Sequence, residues 1–364
     1  MYTGLVLKLS ALLPLPFLAL GLVWGGNWAF VALFYLSIFA FLADESLFAN
    51  GDTTAHLGAT DRALADVVPV ILGAAHLVLL PFAVLTLASD RHDLFENVLI
   101  FVSFALFFGT ISTANAHELI HRPDRFRRNL GKWVFISLLF GHHVSAHLAI
   151  HHRHVATPQD PNSAPLNLGF YRFFNRAWRG SFRAGLTAET SRLKHAGKPN
   201  YHLSNPYIIY AAGAVGFLLL AYTLAGFRGV VVYLGYATLA QAQLLLSDYV
   251  QHYGIERRLL PDGKYEAVTI FHSWNAPHVF TSALMLNAPR HSDHHAQPSI
   301  RYCDLRTRAS EGAPVLPYSI PVMSCIALFP NIWRRMMNPR VSDWYRQHDA
   351  DHGGLGPTRQ NIPV

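Results

Sequence analysis

Six apolar segments set the terms for this chain, at roughly 5–24, 27–43, 66–88, 95–116, 206–224 and 229–247. A helix needs about 20 residues, at about 1.5 Å each, to cross a hydrocarbon core about 30 Å thick. Backbone polar groups inside a bilayer must bond within their own segment, so segments of this length and apolarity predict helices. Segment 27–43 is the shortest and implies little tilt or a locally thin bilayer. Composition agrees: of 364 residues, 51% are hydrophobic and only 14% charged, with a mean hydropathy of +0.22. A soluble domain carries about 25% charged residues. The expected fold is therefore all-α, a single polytopic domain over 1–364 with about six membrane helices.

The first segment carries one Lys8 and no small-x-small cleavage site, and a second apolar run follows at once, so it reads as a retained anchor helix. Of 29 Lys and Arg residues, 13 lie in 117–205 and 12 in 248–364. Basic loops stay on the cytoplasmic side, and the two spans between these stretches return the chain to that side. Both are expected to be cytoplasmic, in a bacterial-type inner membrane. The loop 44–65 is not basic. The net charge of +7 suits loops lying against anionic membrane lipid, or a docking face for an acidic electron carrier. No nucleic-acid-binding motif is present. Stretch 313–330, broken by four prolines, reads as re-entrant or interfacial, and 349–364 as a loose tail.

Two cysteines, Cys303 and Cys325, are too few for a thiolate cluster or a disulfide framework, and no dinucleotide or ATP fingerprint appears. Histidine is the surplus residue. Of its 21 copies, eight fall in 117–154 and six in 252–295. The first cluster is His117-Glu118-Leu119-Ile120-His121, two imidazoles one helical turn apart on one face, a spacing suited to a shared metal ion. The second is His147 with His151 and His152. As an α-helix it pairs His147 with His151 and turns His152 about 100° away, toward a second ion. The third is His291-Ser292-Asp293-His294-His295, and a lone His252 follows the sixth segment.

These nine imidazoles are too many for one ion and suit two, with four or five each. Imidazole alone suits zinc, copper, iron or nickel. A nitrogen-rich pair of ions beside apolar helices points to iron and oxygen chemistry on a lipophilic substrate. Glu118, Asp160, Asp248 and Asp293 are candidates to hold imidazole N–H groups and fix ring orientation; Asp160 also sits where a local backbone cap is common. His142, His143, His154, His272 and His278 read as supporting or structural. His56, His76, His92, His195, His202, His348 and His352 read as surface or core.

The order His117-x3-His121, His147-x3-His151-His152, His252-Tyr253-Gly254 and His291-x2-His294-His295 resembles the integral-membrane non-haem di-iron alkane monooxygenases, of the fatty-acid-desaturase/hydroxylase-like superfamily. The resemblance runs from about 95 to 343. It includes Val155 to Pro161, Asp262 to Glu266, His272-Ser273-Trp274-Asn275 and, most specifically, Arg290 to Ala296. It implies a six-helix enzyme with two irons on the nine histidines near the cytoplasmic surface. Such enzymes hydroxylate the terminal methyl of an alkane with O₂ and electrons from rubredoxin. No Cys-x-x-Cys pair is present, so the donor acts in trans.

Two departures bear on substrate. Leu148, Ala149 and Ile150 stand where alkane enzymes usually carry polar residues. Gln251 replaces a common glutamate and is familiar from xylene-methyl hydroxylases. A methyl-arene hydroxylase or a lipid desaturase is the alternative on this scaffold. From other classes, His117-Glu118-x-x-His121 also fits an intramembrane zinc protease with Glu118 as base, which leaves most histidines idle. A metal or haem carrier would place its ligands within the spans rather than at their ends.

Overall fold

The computed structural model describes residues 9–47 and 59–351, and is predominantly helical, with three isolated bridges and no longer strand among the described residues. Residues 1–8, 48–58 (with His56) and 352–364 (with His352) lie outside that description, as do the start of the first predicted span and most of the predicted tail. The elements are α1 (Pro14–Trp24), α2 (Gly26–Phe34), α3 (Ala59–Ala88), α4 (Leu94–Leu106), α5 (Thr113–Ile120), α6 (Arg125–Ser137), α7 (His142–Ala146), α8 (Phe170–His195), α9 (Pro206–Gln251), α10 (Val279–Leu284), α11 (His291–Ala296), α12 (Ile320–Ala327) and α13 (Pro330–Asp351).

Four helical runs among the described residues are long and apolar enough to cross a membrane: Gly26–Glu45, Ala63–Ala88, Leu94–Ile120 and Pro206–Gln251. The chain is a multi-pass membrane protein, and these four runs cover five of the six predicted segments. α1 has 11 residues and is too short to span on its own described length. The fifth and sixth segments are the two arms of α9, which meet at a helix break at Ala225 and Gly226, where Gly226 takes a φ of +60°. The break folds α9 back on itself. Gly213 and Phe217 before it, and Tyr233 after it, all reach the Trp133–Ser137 end of α6.

The stretch 117–205 is not a simple surface loop. α6 climbs beside α3, from an Arg127–Asp66 ion pair at its start (3.8 Å) to a Ser137–His76 hydrogen bond at its end (2.8 Å). Its tip turns through Leu139, at φ +55°, into α7, which descends again. Ser137, Leu138 and Phe140 are fully buried, so irregular backbone is sheltered by protein, the condition under which it is tolerated between spans. This hairpin carries the second histidine cluster inward.

Gly131 makes that packing possible. A Cβ there would meet the Ala116 carbonyl oxygen and Leu119 Cβ at 2.7 Å, both atoms of the neighbouring helix that cannot swing aside. Gly131→Val is expected to push α6 off α5 and to cost about 1–3 kcal/mol or more, the range for overpacking. A thermal melt in detergent showing no loss of stability would contradict this.

At the other end, Asp44 closes the α2 run against α10. Its buried carboxylate accepts from the backbone N–H groups of Phe280 (2.8 Å) and Thr281 (3.1 Å), and from the Thr281 hydroxyl. An acidic residue in the non-basic 44–65 loop is thus a helix N-terminal anchor.

Candidate metal centre

The nine histidines from four separate chain segments converge on two adjacent groups. His117, His121, His147, His152 and His294 form one, and His151, His252, His291 and His295 the other. Within each group the nearest ring nitrogens all lie within 4.8 Å of one another. The division of five and four follows the predicted total, but its membership corrects the α-helical expectation at the second cluster. Residues His147–His151 form a π-helical turn. The wider turn brings residues five apart onto one face, so His147 joins His152, and His151 swings to the other group. In α11 the ordinary α-helical spacing holds, pairing His291 with His295 and sending His294 across.

Geometry tests whether an ion fits. In the five-membered group, His147 Nε2 lies 2.8 Å from His117 Nε2, 3.0 Å from His121 Nε2 and 2.9 Å from His152 Nε2. In the other group, His291 Nε2 is 2.9 Å from His252 Nε2 and 3.0 Å from His295 Nε2. With metal–nitrogen bonds of about 2.1 Å, ligands at a right angle stand about 3.0 Å apart and tetrahedral ones about 3.4 Å. The separations match right-angle edges, those of a coordination number above four. A neutral imidazole has one proton for two nitrogens, so several Nε2 atoms at these distances present facing lone pairs, which a cation would satisfy. Buried Nε2 atoms of His151 and His294 have no hydrogen-bond partner, as ligand atoms aimed at an ion would not.

Burial and neighbouring imidazoles push His147, His152, His252, His294 and His295 well below their ordinary range. The same causes take His121 to about 4 and His291 to about 3. These rings are neutral at physiological pH, the form that binds metal. His151 is the exception. Burial pushes it down, but the Asp160 carboxylate, 2.8 Å from its Nδ1, raises it overall.

Of the four candidate carboxylates, only Asp160 hydrogen-bonds an imidazole. It also accepts from the Asn162 N–H (3.0 Å) and the Ser163 hydroxyl (2.7 Å), so ring anchor and local cap are one residue. The other three correct the expectation. Glu118 pairs with Arg122 and accepts from the Tyr302 N–H at 3.2 Å. Asp248 accepts from Asn162 Nδ2 at 2.7 Å. Asp293 accepts from Arg308 Nε (3.0 Å) and the Arg306 N–H (2.9 Å), tying α11 to the 305–308 loop.

Two supports have roles that the sequence reading left unassigned. Ser273 Oγ lies 3.3 Å from His252 Nδ1, so this ring can donate from Nδ1 and keep Nε2 bare. Asn275 Oδ1 accepts from the Ser292 N–H at 3.0 Å, capping the first turn of α11. Both belong to the string His272-Ser273-Trp274-Asn275, which was the available signal. None of His142, His143, His154, His272 and His278 joins either group; His272 bonds Glu266 at 3.2 Å.

A cavity of about 270 Å³ opens onto both groups. His117, His147 and His291 form one part of its wall, and Leu106, Thr113, Ala114, Leu244, Met285 and Ile320 much of the rest. Its helices are α4, α5, α9 and α12, so the proline-broken stretch 313–330 contributes a wall.

A helical, multi-pass membrane protein with nine histidines in two metal-sized groups beside an apolar cavity is a membrane-embedded di-metal protein. The sequence profile of the fatty acid desaturase family matches residues 95–327, and the chain belongs to that family. It is 36% identical over 245 residues to alkane 1-monooxygenase 2 of Pseudomonas aeruginosa, covering 67% of this chain and 64% of the relative, so less than two thirds of that protein's length is spanned. Alkane 1-monooxygenase 2 of Alcanivorax borkumensis is 32% identical over 276 residues, 76% of this chain and 72% of that one. The hydroxylase component of xylene/toluene monooxygenase from Pseudomonas putida is 26% identical over 260 residues, 68% and 65%.

Proposed function

We propose that the chain hydroxylates the terminal methyl of an alkane to a primary alcohol, with the nine histidines holding two irons. The observation that carries this is the cavity, whose apolar walls end on His117, His147 and His291 of both groups. An alkane offers nothing to hydrogen-bond, so only apolar area and shape can orient it, and this wall supplies both. Its relatives named alkane 1-monooxygenase support the substrate class.

In the overall reaction, one atom of O₂ enters the C–H bond and the other leaves as water, consuming two electrons and two protons. The metals supply the oxygen activation that no side chain can. The chain's part is to hold nine imidazoles neutral and oriented, to seat the methyl end beside them, and to keep bulk water out. Electrons come in trans from an iron–sulfur protein of the rubredoxin type with its reductase. The active site faces the cytoplasm of a bacterial inner membrane, where the basic stretches meet anionic lipid and donor.

A methyl-arene substrate is the second reading, favoured by Gln251 in the cavity wall and by the xylene/toluene relative. A lipid desaturase shares the scaffold. The zinc-protease reading loses its base: the Glu118 carboxylate is taken up by Arg122 and Tyr302. Glu118→Gln is accordingly expected to leave measurable hydroxylation and two metals per chain; a protease would lose all activity.

Elemental analysis of protein from iron-replete cells, followed by product analysis with linear alkanes and methyl-arenes, a donor and O₂, tests the proposal. About two irons per chain and a primary alcohol from the alkane are expected. About one zinc and no iron would overturn it.

A further inference from the structure

The cavity contains a polar bridge that the reaction does not use. Gln243 of α9 reaches across to the α4–α5 run. Its Oε1 accepts from the Thr110 hydroxyl at 3.1 Å, and its Nε2 donates to the Ala105 carbonyl at 2.8 Å. Residues Phe107–Ser112 form a π-helical turn, a geometry that disturbs the regular carbonyl ladder. The amide thus satisfies a backbone carbonyl beside that turn, within a membrane span. It passes directly over Gly109, where a Cβ would stand 2.2 Å from Gln243 Nε2. An unpaired amide in an apolar site is costly, so these bonds, with a further one from Nε2 to the Leu239 carbonyl at 3.2 Å, hold the side chain in this one position.

The cavity's two longest walls give the bridge a place. Along one run lie Leu106, Gly109, Thr110, Thr113, Ala114 and His117. Along α9 lie Gln243, Leu244, Ser247, Asp248 and Gln251. Thr110 bonds Gln243, and the histidine ends of the two walls come seven residues later at His117 and eight later at Gln251, next to His252. The bridge therefore stands about 10–12 Å from the histidines by helical rise.

We propose that the Gln243–Thr110 bridge is the inner end wall of the substrate cavity and sets the longest chain it accepts. This rests on the hydrocarbon reading above. A linear chain seated with its methyl at the histidines fills the space to the bridge. Each methylene buried before it gains about fourfold in affinity, and those beyond it gain nothing.

The test compares wild type with Gln243→Ala, which removes the wall, and Gln243→Leu, which keeps its volume without its polarity. Both make the span more apolar and favour insertion. Gln243→Ser replaces the alanine variant if that protein does not accumulate. Two readouts are taken over a graded series of linear hydrocarbons, with metal content measured alongside. One is turnover. The other is protection of Cys325, exposed in the cavity wall, from N-ethylmaleimide in a Cys303→Ser background.

Gln243→Ala is expected to move the longest accepted chain upward by several carbons in both readouts, with metal content unchanged and Gln243→Leu close to wild type. An unchanged length limit in Gln243→Ala at full metal content would overturn the proposal, as would wild-type protection independent of chain length. If wild type hydroxylates nothing but its protection shows a length limit that Gln243→Ala shifts, the bridge stands and the reaction assignment falls.

Discussion

His294→Ala is expected to lower the metal content from about two ions per chain to about one or fewer, and to reduce hydroxylation at least about a hundredfold. His294 is buried, its Nε2 has no hydrogen-bond partner, and it sits with His117, His121, His147 and His152. It is the only member of that group supplied by α11, so its loss both removes a ligand and uncouples α11 from α5. A catalytic metal that loses one of few protein ligands loses affinity steeply. The control is His143→Ala. That ring stacks on Phe140 and lines the cavity but belongs to neither group, so metal content should hold. Elemental analysis of both variants decides the matter: a His294→Ala protein with full metal and full activity would remove this residue from the site.

Asp160→Asn is expected to weaken metal retention at the four-histidine group by about 10–100-fold, the usual effect of losing a carboxylate behind a ligating imidazole. Asp160 is fully buried and takes four bonds' worth of organisation at once: His151, Ser163 and the Asn162 N–H at its carboxylate, and Arg176 at its carbonyl, 3.1 Å away. The neutral amide keeps the shape but not the charge that holds the His151 ring. Chelator challenge, timing metal release from wild type and variant, measures the effect. Equal release rates would assign Asp160 a purely local capping role.

A pH dependence follows with a definite sign. Burial works against the Asp160 charge, but His151 and its hydrogen bonds outweigh it and hold the carboxyl below its ordinary range. A group whose folded value is depressed stabilises the fold above its unfolded value, and that contribution is lost as pH falls through the folded one. Wild type should therefore lose stability on acidification below about pH 4, and the loss should be shallower in Asp160→Asn. Melting temperatures across that acid range would show it; parallel curves would exclude it.

Much of the architecture is legible in one dimension because hydropathy acts locally. A run such as Ala63–Ala88 must be helical in a bilayer whatever surrounds it. The histidines are legible for a similar reason: eight imidazoles in three tight strings, with a lone His252 beside them, have no use as packing, and their residue type alone limits the chemistry. The short segment 27–43, extended to Gly26–Glu45, meets the span criteria, while the first one does not over its described length. What hydropathy could not register is the re-entry of α6. α6 carries Arg125, Arg127, Arg128 and Lys132 at its start and reads as a surface helix, yet its far end reaches His76 inside the α3 span.

The sequence by itself determined the helical membrane class, the nine candidate ligands and that they are enough for two ions, because those depend on composition and short spacings. Only the tertiary structure decided how the nine divide. One π turn moves His152 to the side of His147 and His151 to the other, and α11 delivers His294 to histidines 142 to 177 residues away in the chain. It also decided the partners of the carboxylates. Glu118, Asp248 and Asp293 lie as close in sequence to histidines as Asp160 does, but which oxygen meets a ring, an arginine or an amide depends on elements that fold in from elsewhere. The end of the cavity is of the same kind. Gln243 and Thr110 are 133 residues apart, and no local pattern announces a bond between them.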